Sequence, residues 1–290
     1  MRGLFWFCML SVMAFAHGVP SAASNSIKWH PGHYMWLDPN HSSDAIRFAA
    51  IDGIGNETNV QGIQLIVKWA LLEGPTKGDY SKGFAFIDSH LVKLGSVGTP
   101  KRLILQVADR AFGSGIPSPA SAASTLPSYL FTSEYNGGYV TPDSGQTWSG
   151  SLVLAARVWE QPVMDRLIAL SQAYAARYDQ HPLFEMFGMS ETALGVVGNG
   201  NSASSYSTQI KRWYAASKAA WVHTQLRQNA NYLGSDAQMS DLINTTSLGG
   251  GVAVGGPDPE FPLPAANITR KIQANQIFSN SCMTVSTLRV

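Results

Sequence analysis

Strand-like and helix-like segments alternate along this chain. Apolar runs of strand length recur at residues 34–37, 62–67, 102–107, 183–188, 224–229 and 251–254, and the segments between several of them carry helical periodicity. The clearest helical segment is 163–178, where Met164, Leu167, Ile168, Leu170 and Tyr174 recur mostly every three or four residues. After Ser207, Ile210, Trp213 and Tyr214 share one helical face, and Ser235 to Gln238 reads as a capping box for a further helix. Strands alternating with helices imply parallel βαβ units, arranged as a doubly wound sheet or as a (β/α) barrel. The 290 residues, 45% of them apolar, suffice for a sizeable core. The sequence shows no internal repeat and no linker that would divide the chain, so one α/β domain over 24–276 is expected.

Charge narrows the function classes. A formal net charge of +1, without a long run of Lys or Arg, lacks the electrostatic footprint of nucleic-acid binding. Met1 and Arg2, an apolar run from Leu4 to Ala16 and the small residues Ser21, Ala22 and Ala23 read as a secretory signal peptide over 1–23. That run is shorter than the roughly 20 residues of a membrane-spanning helix, so a secreted or periplasmic protein with no membrane contact after cleavage is expected. Cys8 would leave with the leader, and Cys282 alone can form neither an internal disulfide nor a cysteine-based metal site. His30 and His33, in His-Pro-Gly-His, lack an evident third ligand and read as a loop pair. No metal or other cofactor is implied. The stretch 111–151, rich in Ser, Pro, Gly and Tyr, exceeds the usual loop length in a compact domain, a mark of functional or mobile loops.

Two segments, one opening at Trp69-Ala-Leu-Leu-Glu-Gly-Pro and one ending in Ser190-Glu191, resemble the retaining (β/α)8-barrel glycoside hydrolases of the family 5 and family 42 type. The first is Trp69-Ala-Leu-Leu-Glu-Gly-Pro-Thr-Lys-Gly-Asp-Tyr with Phe86-Ile-Asp88 and Lys101-Arg-Leu-Ile-Leu-Gln after it, which is similar to those families' second and third strands. The second runs from Ala176-Arg-Tyr-Asp-Gln-His-Pro182 to Ser190-Glu191 and is similar to the fourth strand, which ends in an Asn-Glu pair. The resemblance covers roughly residues 30 to 256. It implies a TIM-type barrel of which about six βα units are recognisable, an oligosaccharide or polysaccharide as partner, and β-linked carbohydrate as substrate. Glu191 takes the general acid/base position, and Ser190 stands where the family has Asn, as a substrate contact.

Other residues are candidates by position and chemistry. Asp109 and Arg110 follow the third run directly and either hydrogen-bond sugar hydroxyls or pair with each other. Trp36, Trp69, Tyr135, Tyr139 and Trp148 lie at strand ends or in the long stretch, where aromatic faces stack on sugar rings or pack in the core. Asn229 and Asn231 end the fifth run and either bind polar ligand groups or terminate the strand. Glu185, deeper in the fourth run, reads as a structural ion pair.

Glycoside cleavage needs two acids: one protonates the leaving oxygen, and the other attacks or activates water. In the resembled families the nucleophile is a Glu on the seventh strand, yet the chain has no Glu after Glu260 and no Asp after Asp258. Only residues 255–290 follow the sixth run, against roughly 60 for two more βα units. The expectation is therefore a barrel incomplete at its C-terminal end, an irregular or foreign tail over 277–290, and little turnover by the chain as it stands. The alternative is a noncatalytic carbohydrate-binding or interaction barrel.

Overall fold

The computed structural model describes residues 27–38, 42–113, 117–141, 147–148, 152–192, 196–197, 200–230, 233, 235–248 and 250–255. The expected leader and tail lie outside them. Six strands form one parallel sheet: β1 (His33–Leu37), β2 (Val60–Lys68), β3 (Arg102–Ala108), β4 (Phe184–Glu191), β5 (Gln225–Asn229) and β6 (Ala253–Gly255). Their spatial order is their chain order, with every neighbouring pair parallel. Right-handed crossovers that always step in the same direction place every connecting helix on one face of such a sheet.

The helices do stand in one row. Helix α1 (Asp44–Gly53) meets α2 (Ser81–Gly95) through the Arg47 Nε, which donates to His90 Nε2 at 3.1 Å. Phe84 of α2 packs on Tyr174 of α3 (Gln161–Tyr178), and Ser171 of α3 donates to Ser217 of α4 (Ala203–Ala220) at 2.7 Å. Lys211 of α4 then pairs with Asp241 of α5 (Asp236–Ile243). Side hydroxyls cap three of these helices, with Ser43, Ser202 and Ser235 accepting from backbone N–H groups of the first turn.

Strand parity divides the sheet. Ile63, Leu65 and Val67 of β2 and Leu103, Leu105 and Val107 of β3 are buried against the helices, each such side chain contributing about 1.5–3 kcal/mol. The aromatic stack Tyr178–Phe184–Trp221–Phe187 fills the same layer beneath β4. Gln64, Gln106 and Arg227 point to the other face, where Arg227 donates to Gln64 at 2.6 Å and Gln64 to Gln106 at 2.9 Å. Two strands separate β2 from β5, so in a flat sheet these backbones would lie roughly 14 Å apart. The direct contact therefore shows that the inner face is curled inward. Two glycines let the curled strands approach closely: a Cβ on Gly62 would lie 1.9 Å from the Arg102 carbonyl oxygen, and one on Gly188 2.4 Å from that of Arg227.

All six expected strands are present, within a few residues of their expected ends. The long stretch after β3 differs from expectation, because much of it is ordered secondary structure. Arg110–Phe112, Leu152–Ala156 and Tyr139–Val140 pair as a small antiparallel sheet, and a short helix, Pro119–Ala123, lies between them. Its apolar residues Leu126, Leu130 and Tyr135 are buried in the main core, which offsets the entropy of ordering the segment.

His90 gives this fold an acid sensitivity. It is fully buried, accepts from Arg47 and donates from Nδ1 to the Phe86 carbonyl at 2.8 Å. Burial, with Arg47 beside it, lowers its pKa below the ordinary value, which is about 6.5. The unfolded chain then protonates this ring at higher pH than the folded chain does. The contribution is thus present above about pH 6.5 and is lost as pH falls through the folded value. Urea unfolding midpoints should drop between neutral pH and pH ~5, and His90→Gln should flatten that drop; an equal drop in both proteins would contradict this.

Candidate active site

Parallel α/β sheets bind ligands at the carboxyl ends of their strands, so the residues closing β3, β4 and β5 are the place to look. Regular alternation along β4 would put Glu191 on the same side as Phe187 and Met189, facing the helices. It does not lie there. Gly188 pairs with Arg227 and Glu191 with Asn229, so β4 uses three residues where β5 uses two. This bulge turns Glu191 to the inner face, beside Asn229, and bulges near functional sites commonly re-aim a side chain in this way. Glu191 is half-buried.

Around Glu191 the site is built from buried polar groups. Asp109 and Arg110 are 1% and 7% exposed and pair with each other, Arg110 Nε lying 3.1 Å from Asp109 Oδ1. Of the two expectations for this pair, mutual pairing describes what it does. Burial alone would favour a neutral Arg110, but the Asp109 carboxylate outweighs it and holds the guanidinium above its ordinary range. Arg110 also donates to the Tyr206 hydroxyl at 3.0 Å, and that hydroxyl donates to the Glu191 carbonyl at 3.4 Å. Burial raises the Tyr206 hydroxyl above its ordinary range, so it stays protonated and able to donate. Tyr206 was not a sequence candidate. It lies on α4, in the helical layer, and only the packing of that helix carries its hydroxyl to the end of β4.

Ser190 is buried and donates to the Val107 carbonyl at 2.8 Å, tying β4 to β3. Asn229 is 3% exposed, its carbonyl accepts from the Thr192 N–H at 2.9 Å, and its side-chain Oδ1 has no hydrogen-bond partner among the described residues. A buried acceptor without a partner is costly, which fits a group that meets a ligand donor.

The remaining candidates lie further out. Trp36 is 56% exposed on the inner side of edge strand β1 and is free to stack. Tyr139 is half-buried and packs edge-on against Phe131 at 4.7 Å. Thr147–Trp148 pairs antiparallel with Val196–Val197, which brings part of the long stretch to the segment following Glu191. Asn231 lies outside the described residues. Trp69 is a correction: it is fully buried and its indole N–H donates to Glu73 at 2.9 Å, so its faces are covered by protein and no sugar stacks on them. Glu185 accepts from the backbone N–H and Nδ1 of His30 and lies 3.9 Å from Arg102, near the opposite ends of the strands.

Solved structures share this architecture. The chain has a glycoside hydrolase fold. Endo-glycoceramidase II from Rhodococcus sp. in its ganglioside GM3 complex matches with a TM-score of 0.51 at 11% identity, covering 91% of this chain and 67% of that one. The same enzyme with a cellobiose-like isofagomine gives a TM-score of 0.51 at 11% identity over 89% and 64%. A further glycoside hydrolase is 14% identical over 78% of this chain and 59% of its own, with a TM-score of 0.49. The chain thus spans between 59% and 67% of the length of these structures. No family model and no curated protein matches it. At these identities the likeness concerns the path of the backbone and assigns no residue a role.

Removing one hydroxyl tests the Arg110–Tyr206–Glu191 connection. Tyr206→Phe leaves a buried guanidinium N–H and a carbonyl short of a partner, a loss of about 1–3 kcal/mol. Urea denaturation should show it as a lower midpoint at unchanged slope; a midpoint equal to wild type would mean the hydroxyl holds nothing in place.

Proposed function

We propose that this chain acts on β-linked carbohydrate at the carboxyl ends of β3, β4 and β5, with Glu191 as the general acid/base of glycoside cleavage. One observation carries the reading: the bulge in β4 brings Glu191 into register with Asn229 of β5, whose side-chain Oδ1 has no hydrogen-bond partner among the described residues. A glycoside hydrolase fold supports it. In this role Glu191 protonates the leaving oxygen as the glycosidic bond breaks, and Asn229 accepts a hydrogen bond from a sugar hydroxyl nearby. The buried Asp109–Arg110 pair and Tyr206 hold the backbone of Glu191, so the carboxylate keeps its place as charge develops.

A second reading, carbohydrate binding without turnover, is favoured by where the other acids lie. Among the described residues after Glu191, Asp241 lies on α5 in the helical layer and is already paired with Lys211. Asp258 and Glu260 lie outside the described residues. Titration and hydrolysis assays with neutral β-linked oligosaccharides separate the readings: binding with turnover supports the first, binding without turnover the second. No binding at all would remove both.

A further inference from the structure

The mouth of the sheet holds a second feature that the acid/base reading leaves unused. A cavity of about 310 Å³ opens beside the end of β2, lined by Lys68, Phe112, Ser121, Ser124, Thr125 and Leu154 among others. Lys68 is the last residue of β2, on the inner-facing parity of Gln64, and is half-buried. Its ammonium makes no hydrogen bond or ion pair among the described residues. Lys28, Lys77, Lys93, Lys101 and Lys211 each donate to a carbonyl or a carboxylate, whereas Lys82 and Lys218 share with Lys68 the lack of such a bond among the described residues.

Thr125 supplies an independent pointer. It is 2% exposed and lines the same cavity, yet its hydroxyl forms no hydrogen bond among the described residues. A half-buried cation and a hydroxyl that opens to the cavity, both without acceptors among the described residues, form a donor set suited to a negatively charged group. Partial burial strengthens the attraction, because the effective dielectric is lower than in water. The Ser121 and Ser124 hydroxyls already donate to the Ser118 and Ser121 carbonyls, so toward a ligand they act as acceptors for sugar hydroxyls. Phe112, 57% exposed at the rim, offers a flat apolar face to a sugar ring.

We propose that this cavity binds the anionic substituent of an acidic sugar, a carboxylate or a sulfate, held by the Lys68 ammonium and the Thr125 hydroxyl with the ring against Phe112. The inference rests on the carbohydrate reading of the neighbouring site and names the substrate class that site receives.

Calorimetric titration of the full chain with three ligands tests it: a neutral β-linked oligosaccharide, the same backbone carrying a glucuronate, and the same backbone carrying a sulfate ester. At low salt at least one acidic ligand should bind about tenfold more tightly than the neutral one, with the gap narrowing as salt is raised. The acidic ligand that gains affinity identifies the substituent. Lys68→Met should abolish the gap, and Thr125→Val should reduce it. Circular dichroism of each variant checks that it is folded. Equal affinity for neutral and acidic ligands would overturn the inference and leave the carbohydrate reading standing, as would a gap that survives in folded Lys68→Met. Absence of binding by all three would overturn both.

Discussion

Replacing Glu191 with Gln is expected to lower turnover of β-linked substrates with poor leaving groups by about 10²- to 10⁴-fold, the usual contribution of a general acid. Gln keeps the size of the side chain and its hydrogen-bonding reach but has no proton to give. Activated aryl glycosides, whose leaving groups depart with little protonation, should suffer far less in the glycosylation step. The ratio of the two losses, rather than the absolute rate, carries the assignment, so it can be read even from a slow enzyme. Steady-state kinetics on both substrate types, for wild type and variant, gives it. Equal losses on both substrates would point to a disturbed site rather than a missing acid, and an unaffected variant would remove Glu191 from the mechanism.

The largest expected loss of stability lies away from the site, at Glu73. This carboxylate is fully buried and accepts from Trp69 Nε1 at 2.9 Å, the Gly78 N–H at 2.8 Å and Arg166 at 2.5 Å. Arg166 also donates to the hydroxyls of Tyr129 and Tyr80, so one guanidinium joins α3 to the turn after β2, to the approach to α2 and to the long stretch after β3. Arg166→Met leaves the carboxylate buried without its counter-charge, which typically costs about 3–5 kcal/mol. For a domain of this size that is a fall in Tm on the order of 10 °C. Adding Glu73→Gln removes the stranded charge, and the double variant should regain a good part of the loss. Thermal unfolding of the single and double variants decides the matter: a single variant within about 1 kcal/mol of wild type would mean the pair is a solvated surface contact.

The two kinds of residue in these predictions were not equally legible. Glu191 was found as a candidate because it closes an apolar run within a recognisable segment, and both are local properties of the chain. Its facing could not be read there, since regular alternation would have turned it toward the helices. Trp69 shows the reverse error: its place at a strand end suggested a stacking face, but the carboxylate that accepts its indole N–H comes from the next turn of chain, and Arg166, which completes that cluster, lies on a helix far along the sequence. Tyr206 carried no signal at all, because a tyrosine on the buried face of a helix looks the same whether its hydroxyl meets water or Arg110.

The elements and their order can be read from the residues alone: six strand-length apolar runs, helical periodicity between them, and hence parallel βαβ units. These follow from side-chain periodicity and chain connectivity, which are local. The contact of Arg227 with Gln64, the bulge that brings Glu191 into register with Asn229, and the pairing that joins Asp109 to Arg110 and Tyr206 arise only in the folded chain. Each depends on the register between strands, or on helix packing that brings together residues far apart in the chain. A shift of one residue in register exchanges the two faces of a strand while leaving its composition unchanged.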